Sequence, residues 1–559
     1  MNKKEFAKYI LSSVQAFVEN SIKYGKDPFG DTPLFADGIN LHSMEPVFWL
    51  RNGERWIISN LANQQNFLRT LVNLTAITSD QTYRHFAEQT FKYHFGHIES
   101  QCGLLKWGGH TCVDLSTGNF VGEVHQGYLE HEFKLTYPFY DLMWEVDPLA
   151  TEKFIKALWN SHVLDWSNLD MNRHGSYDLP LGDLWDSDWS NPEPFFEGKG
   201  LTFINIGSDL IYAAAHLYKF TKDKGALEWG VRLWEQYEKA RDPNTGLGAY
   251  QYTQPIQEFD PDEFLSISDF SRAFPDRDVQ GRDLDAIKTA SMFGDRAKNQ
   301  FSVEFGDRAL EGKMLTSGGC ESIYGNVVVS QLGIIEQFGP YRDKMLDSNI
   351  SGLKAFGKYA YDHQTNQVST MLTDGTILTP DDIKRPGYYS RESLQKSTPD
   401  PILFLSNCVG FHKSNEEPLW KVIRIMARGY DLGDFGESIN AEKQPNLKTQ
   451  NDDPICLIAI LELLKLGNQN DLESLACAVA QNIISNRFHN GFFVPSKNHL
   501  NARLDSLEAL ALTCLAGYLY GFGDQIAEYA GSDGFFHVPF DGISRTDDKV
   551  AIWNRISEA

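Results

Sequence analysis

Cysteine is scarce in this chain, at seven of 559 residues. Cys102, Cys112, Cys320, Cys408, Cys456, Cys477 and Cys514 are odd in number, widely scattered, and form no CxxC pair. A disulfide framework is therefore not expected. Most of them sit among apolar residues, as in Leu510-Ala511-Leu512-Thr513-Cys514-Leu515, and read as buried reduced thiols. Cations are in deficit as well: 51 Lys+Arg stand against 75 Asp+Glu, a net charge of −24. That excludes the basic field on which nucleic-acid binders rely. No run of roughly 18 apolar residues exists, so no membrane-spanning helix is expected. The N-terminus carries Lys3 and Lys4, but Glu5, Lys8, Ser12, Ser13 and Gln15 interrupt any apolar stretch behind them. A secretory signal is thus not expected, and with the reduced thiols this gives a cytoplasmic expectation. GxGxxG after a strand, Walker A, HExxH and GxSxG signatures are all missing.

What is present is an ordinary globular balance, 42% hydrophobic and 23% charged, with an aromatic share of 13%. A disordered chain would hold fewer of both apolar and aromatic residues. Helical periodicity dominates. Leu61, Phe67, Leu68, Leu71, Leu74 and Ile77 recur mostly at three- and four-residue steps, which is one helix face. Similar patterns run through 4–23, 80–96, 148–165, 202–220, 224–241, 343–361, 452–466, 470–486 and 503–520. Thr78-Ser79-Asp80 and Thr221-Lys222-Asp223 are short joints with residues able to cap the next helix. Short joints force antiparallel neighbours, hence helical hairpins. Polar turns running into extended segments follow several hairpins, near 99–107, 169–174, 242–250, 362–368 and 487–493. Such hairpins stack core against core, and a closed ring of them gathers the turn segments at one end. One domain over 1–559 is expected, with loop or β-rich insertions near 242–342 and 362–416, where prolines and acids cluster.

The chemistry-bearing residues concentrate between 103 and 190. Lys106-Trp107-Gly108-Gly109-His110, Glu130-His131-Glu132-Phe133-Lys134 and Arg173-His174 stand out. His110 and His174 lie in two equivalent post-helix segments, which a ring would bring together. Glu132 is placed at the head of a helix 132–146 between them. Two imidazoles and a carboxylate suit Mn, Fe, Co, Ni or Zn, whereas calcium prefers six to eight oxygens. Surface or core histidines are the plainer alternative. Arg173 beside a metal-bound His174 reads as a base, as a bidentate clamp for a carboxylate, or as an ordinary salt-bridge residue.

Three segments carry a resemblance. They are Lys106-Trp107-Gly108-Gly109-His110, His131-Glu132-Phe133-Lys134 with Tyr137-Pro138-Phe139-Tyr140, and 159–175 ending in Asn172-Arg173-His174-Gly175. Together with Phe35-Ala36-Asp37-Gly38, Trp56 to Asn66 and Gly294 to Phe301, they resemble polysaccharide lyase family 2, the bacterial pectate lyases, over roughly the first 60% of the chain. The resemblance implies an (α/α)7-type toroid with short β-rich arms flanking a groove. It also implies a transition metal, typically Mn (with Ni, Co and Zn as alternatives), on His110, Glu132 and His174, and Arg173 as base. The implied reaction is metal-assisted β-elimination on polygalacturonate or oligogalacturonides.

A chain of charge −24 repels a polyanion, but only within a Debye length of about 8 Å at physiological salt. Local cations therefore matter. Trp107, Lys134, Arg296, Lys298 and Arg308 are candidate substrate contacts, with Lys106 and Arg173 beside them. Short oligomers suffer least repulsion, which gives an expectation of exo action on imported oligogalacturonides. The rival enzyme reading is a glycoside hydrolase on the same fold, acting on uronic-acid oligosaccharides. It would use carboxylates from Asp183, Asp186, Asp188 and Glu193, with Trp185 and Trp189 stacking on sugar. The non-enzymatic rival is a helical scaffold or carbohydrate-binding module.

Overall fold

The structure, a computed structural model, describes residues 2–51, 54–122, 124–125, 128–196, 203–252, 295–384, 389–467 and 469–538. Helices dominate and are linked by short two- and three-stranded ladders. The mainly-α class built of helical hairpins is therefore what the chain has. The described residues fall into two compact units. One draws on Met1–Ser161, His174–Gly182 and Ala427–Ala559, the other on His162–Arg173 and Asp183–Met426.

In the first unit, helix Lys3–Gly25 starts with a capping box between Asn2 and Glu5. It buries Phe6, Ile10, Val14 and Phe17. It packs on helix Leu507–Tyr520, which also packs on Gln65–Thr78, so the two ends of the described chain share one core. Phe17 meets Phe67, Phe492 and Phe493 edge-on at 5.5–6.3 Å between centroids. The predicted apolar face of Gln65–Thr78 is buried at Phe67, Leu68, Leu71 and Leu74. Its joint to helix Gln81–Tyr93 works as read: Ser79 turns the chain at φ 64°, and the Asp80 carboxylate accepts the Thr82 N–H at 2.9 Å.

In the second unit, helices Ile204–Thr221 and Lys224–Lys239 form the equivalent hairpin. Lys222 supplies the left-handed turn at φ 63°, and Asp223 accepts N–H groups from Gly225 and Ala226. Gly230 lets the two helices approach closely, because a Cβ there would lie 2.9 Å from the Ala214 methyl.

Three expectations need correction. The stretch 362–416 is not all loop: Pro401–Ser414 is a helix, capped by Asp400 with Pro401 in its first turn. Proline at that place removes an N–H that would be unsatisfied anyway, so here it starts a helix and does not signal a loop. Within 242–342, the described part from 295 onward is also largely helical, with Arg296–Phe305 and Val327–Gly333 as its α-helices of seven or more residues. The part of the expected 242–342 insertion that spans 253–294 lies outside the described residues. Finally, Glu132 does not head a helix. It lies in strand His131–Glu132, and the next helix is Tyr140–Val146.

Candidate metal centre

Strand His131–Glu132 pairs antiparallel with His174–Gly175, in the register His174↔Glu132 and Gly175↔His131. Directly opposed residues project from the same face of a ladder, so this register sets the His174 imidazole beside the Glu132 carboxylate. His131 takes the other face. It is fully buried, stacked on Phe133 at 4.6 Å, and so serves the core.

The third residue, His110, arrives on a glycine pair. Gly108 bridges to Glu132, and the Gly109 N–H donates to the Glu132 carbonyl at 2.8 Å. Gly108 holds φ 115°, which disfavours any residue with a side chain. A Cβ on Gly108 would strike the Glu132 carbonyl, and one on Gly109 would strike Glu132 Oε2. Sequence reading noticed Gly108-Gly109 as part of a motif. The structure gives the reason: only hydrogen fits between this loop and the acid.

The outcome is a compact donor set. His110 Nε2 lies 3.0 Å from Glu132 Oε2 and 3.2 Å from His174 Nε2. One ligand atom from each of the three lies within 4.8 Å of the others. Bonds of about 2.0–2.2 Å at right or tetrahedral angles put ligand atoms roughly 3–3.5 Å apart, so the donors suit one divalent ion with nitrogen and oxygen ligands. Glu132 is 2% exposed and the two imidazoles 15–16%. A carboxylate buried this deeply needs compensating charge. Lys134 Nζ stands 3.4 Å from Glu132 Oε1, and lies 4.9 Å from the Phe535 ring centroid.

Behind the glycine pair is a polar frame that sequence reading had only as matched motif. The Asn60 side chain brackets Gly108: its Nδ2 donates to the Gly108 carbonyl at 2.5 Å, and its Oδ1 accepts the Gly108 N–H at 3.2 Å. Asn60 is held in turn by the Asp37 carboxylate, which accepts its N–H at 2.8 Å and Gln64 Nε2–H at 2.9 Å. Burial pushes the Asp37 carboxyl up to about 7 against these hydrogen bonds. Nothing in spacing alone reveals this link, since 48 residues separate Asn60 from Gly108.

The other expected site residues are distributed as follows. Trp107 is 1% exposed and packs against Phe133 and Phe154. Its ring is core, which removes it as a sugar contact; an indole beside two glycines is as easily a wall of the core as a platform. Arg173, Arg296, Lys298 and Arg308 belong to the second unit. The Arg173 guanidinium lies over the Phe203 ring, 5.9 Å from its centroid. Arg296 pairs with Glu311, and Arg308 with Asp374 at 2.8 Å. Lys298 is exposed in the first turn of its helix. Of the rival set, Asp183, Asp186, Asp188 and Glu193 are all exposed. Trp185 and Trp189 pack edge-on with Trp166 and Trp229.

With this geometry in hand, the chain belongs to the pectate lyase 2 family, described as periplasmic pectate lyases, which it matches over residues 32–539. It is 33% identical over 522 residues to a pectate disaccharide-lyase of Dickeya dadantii (strain 3937), spanning 90% of this chain and 88% of that one. The chain is thus a polysaccharide lyase of the pectate-cleaving type. Among solved structures it is similar to a D-mannose isomerase, at 12% identity and TM-score 0.42, over 82% of this chain and 98% of that one. It is also similar to a cellobiose 2-epimerase from Bacillus thermoamylovorans B4167, at 10% identity and TM-score 0.40, over 78% and 93%.

The family's description as periplasmic overturns the cytoplasmic expectation. The thiols were poor witnesses to compartment. All seven are free, five of them buried, and a thiol sealed in a core stays unpaired in oxidising surroundings as well. No helix among the described residues is long and apolar enough to cross a membrane.

Proposed function

We propose that the enzyme is an exo-acting lyase that releases unsaturated uronides from oligogalacturonides, with His110, Glu132 and His174 holding one divalent transition ion and Arg173 acting as base. The observation that carries this reading is the donor set of the preceding section, three nitrogen and oxygen donors within 4.8 Å. Manganese is the expected ion, with Ni, Co and Zn as alternatives. The exo mode draws on the relative named a pectate disaccharide-lyase. A bound ion supplies positive charge against the uronate carboxylate, which acidifies C5 and disfavours a protonated guanidinium nearby.

The chain's own residues do the rest. Arg173 takes the C5 proton on a guanidino nitrogen. The C5–H electron pair becomes the C4=C5 double bond, the C4–O bond breaks, and the leaving oxygen picks up a proton. No water is added, so the product is a conjugated uronate. Lys134 adds a cation beside the centre.

Turnover on oligogalacturonides of defined length, followed by the ultraviolet band of the conjugated product, tests the reaction. Activity should vanish on chelation and return with added Mn²⁺. Elemental analysis should give near-stoichiometric metal, lost in His110→Ala and His174→Ala; unchanged metal in both variants sinks the ligand assignment. Arg173→Lys and Arg173→Ala should each lower kcat by about 10²–10⁴ with metal content intact. A rise in KM at constant kcat would make Arg173 a clamp.

A further inference from the structure

A second carboxylate sits behind the donor set. His174 turns Nε2 toward His110, at 3.2 Å, and its other ring nitrogen, Nδ1, stands 3.5 Å from Glu130 Oε2. Glu130 stands immediately before the strand His131–Glu132 and two positions before Glu132, so the alternation of side chains along extended chain puts both acids on one face. Its main chain is anchored: the Thr111 hydroxyl donates to the Glu130 carbonyl at 2.8 Å, and Thr111 directly follows His110. Its side chain is 29% exposed, against 2% for Glu132. The two acids therefore divide the work. Glu132 is the buried one, on the Nε2 side with His110. Glu130 is on the outer side, facing the nitrogen that an ion held through Nε2 would leave for a hydrogen bond.

We propose that Glu130 is a positioning residue of this centre. It accepts the Nδ1–H of His174, fixes the tautomer that leaves the Nε2 lone pair directed at His110 and Glu132, and holds the ring against rotation. This rests on the reading of His110, Glu132 and His174 as metal ligands. Carboxylates in this relation to a ligating histidine orient the ring and raise its basicity, and their loss typically weakens metal binding about 10–100-fold.

The test is Mn²⁺ titration of the chelator-stripped full chain by calorimetry, with Co²⁺ absorption as a readout of the ligand set. Glu130→Ala should bind Mn²⁺ about 10–100-fold more weakly than wild type. Glu130→Gln, whose amide oxygen still accepts a hydrogen bond, should fall between them. At saturating Co²⁺ both variants should keep the wild-type spectrum, because the ligands are unchanged, and Glu132→Ala should alter or abolish it. Thermal unfolding of the stripped proteins should be alike for wild type and Glu130→Gln. Wild-type affinity in Glu130→Ala overturns the proposal. So does a Co²⁺ spectrum changed by Glu130→Ala and not by Glu132→Ala, which would make Glu130 the ligand. If wild type and His110→Ala bind Mn²⁺ equally weakly, the metal reading itself fails and takes this one with it. If only Glu130→Ala is silent, the metal reading stands alone.

Discussion

At the scale of single residues, the centre depends on atoms that are not there. Gly109 faces Glu132 Oε2 so closely that a methyl group cannot fit without moving the carboxylate. Gly109→Ala is therefore expected to fold and yet to lose metal, since Glu132 must swing away from His110; circular dichroism and elemental analysis on one preparation check both halves. Asn60 is the complementary case, a side chain that holds the loop from behind with two hydrogen bonds to Gly108. Asn60→Ala leaves the Gly108 N–H and carbonyl buried and unpaired, which should cost about 1–3 kcal/mol per group in denaturant unfolding. Metal affinity should fall as well, because the loop carrying His110 loses its tether. Sequence reading found His110, Glu132 and His174 because histidine pairs and acids announce metal chemistry by type. Asp37 and Asn60 were in view only within matched motifs, because an asparagine or a buried aspartate has many ordinary uses.

At the scale of elements, register decides. A slip of one residue between His131–Glu132 and His174–Gly175 would put His131 opposite His174 and turn Glu132 into the core. The helical hairpins were legible because a period near 3.6 and a capping Asp are local signals, as Asp80 and Asp223 show. The two-residue strands were not, since so short a segment carries no period to read. The segment after strand Asn501–Arg503 adds a second buried acid to the first unit. Asp505 accepts the N–H groups of Asn66 and Phe67 at 2.7 and 2.9 Å and thereby caps helix Gln65–Thr78 from a distance. Burial pushes both Asp505 and Asp37 up to about 7 from a usual 3.8. A carboxyl raised in the folded state keeps its proton where the unfolded chain has lost it. Between about pH 4 and pH 7, these two groups therefore make stability fall as pH rises, and above about 7 the loss is complete. Melting temperature should be higher near about pH 5 than near about pH 8, and Asp37→Asn should flatten that difference. A wild-type difference retained in full by Asp37→Asn would remove Asp37 from the account.

At the scale of the whole molecule, charge sets the terms of encounter. A net charge of −24 opposes approach by a polyanion, and salt screens that repulsion over a Debye length of about 10 Å at 0.1 M. Raising ionic strength should accordingly increase kcat/KM for long polygalacturonate relative to that for a trimer, because the long chain carries more charge past the protein surface. Progress curves on both substrates at low and moderate NaCl test this; an equal salt response for the two would mean that only the local cations count.

By itself the sequence determined the hairpins and the caps at Asp80 and Asp223, and it singled out His110, Glu132 and His174 as candidate donors, because each is written in residue type and local spacing. Family membership was legible for the same reason, in contiguous runs such as Lys106-Trp107-Gly108-Gly109-His110. Tertiary structure alone decided that Glu132 lies in a strand opposite His174 and does not head a helix, that Trp107 is core, and that Asn60 and Asp37 stand behind the loop. Those outcomes depend on strand register and on contacts across 22 to 48 sequence positions, as from His110 to Glu132 or Asp37 to Asn60 and on to Gly108. The free energy of such contacts comes from packing and desolvation in the assembled core, which no local pattern encodes.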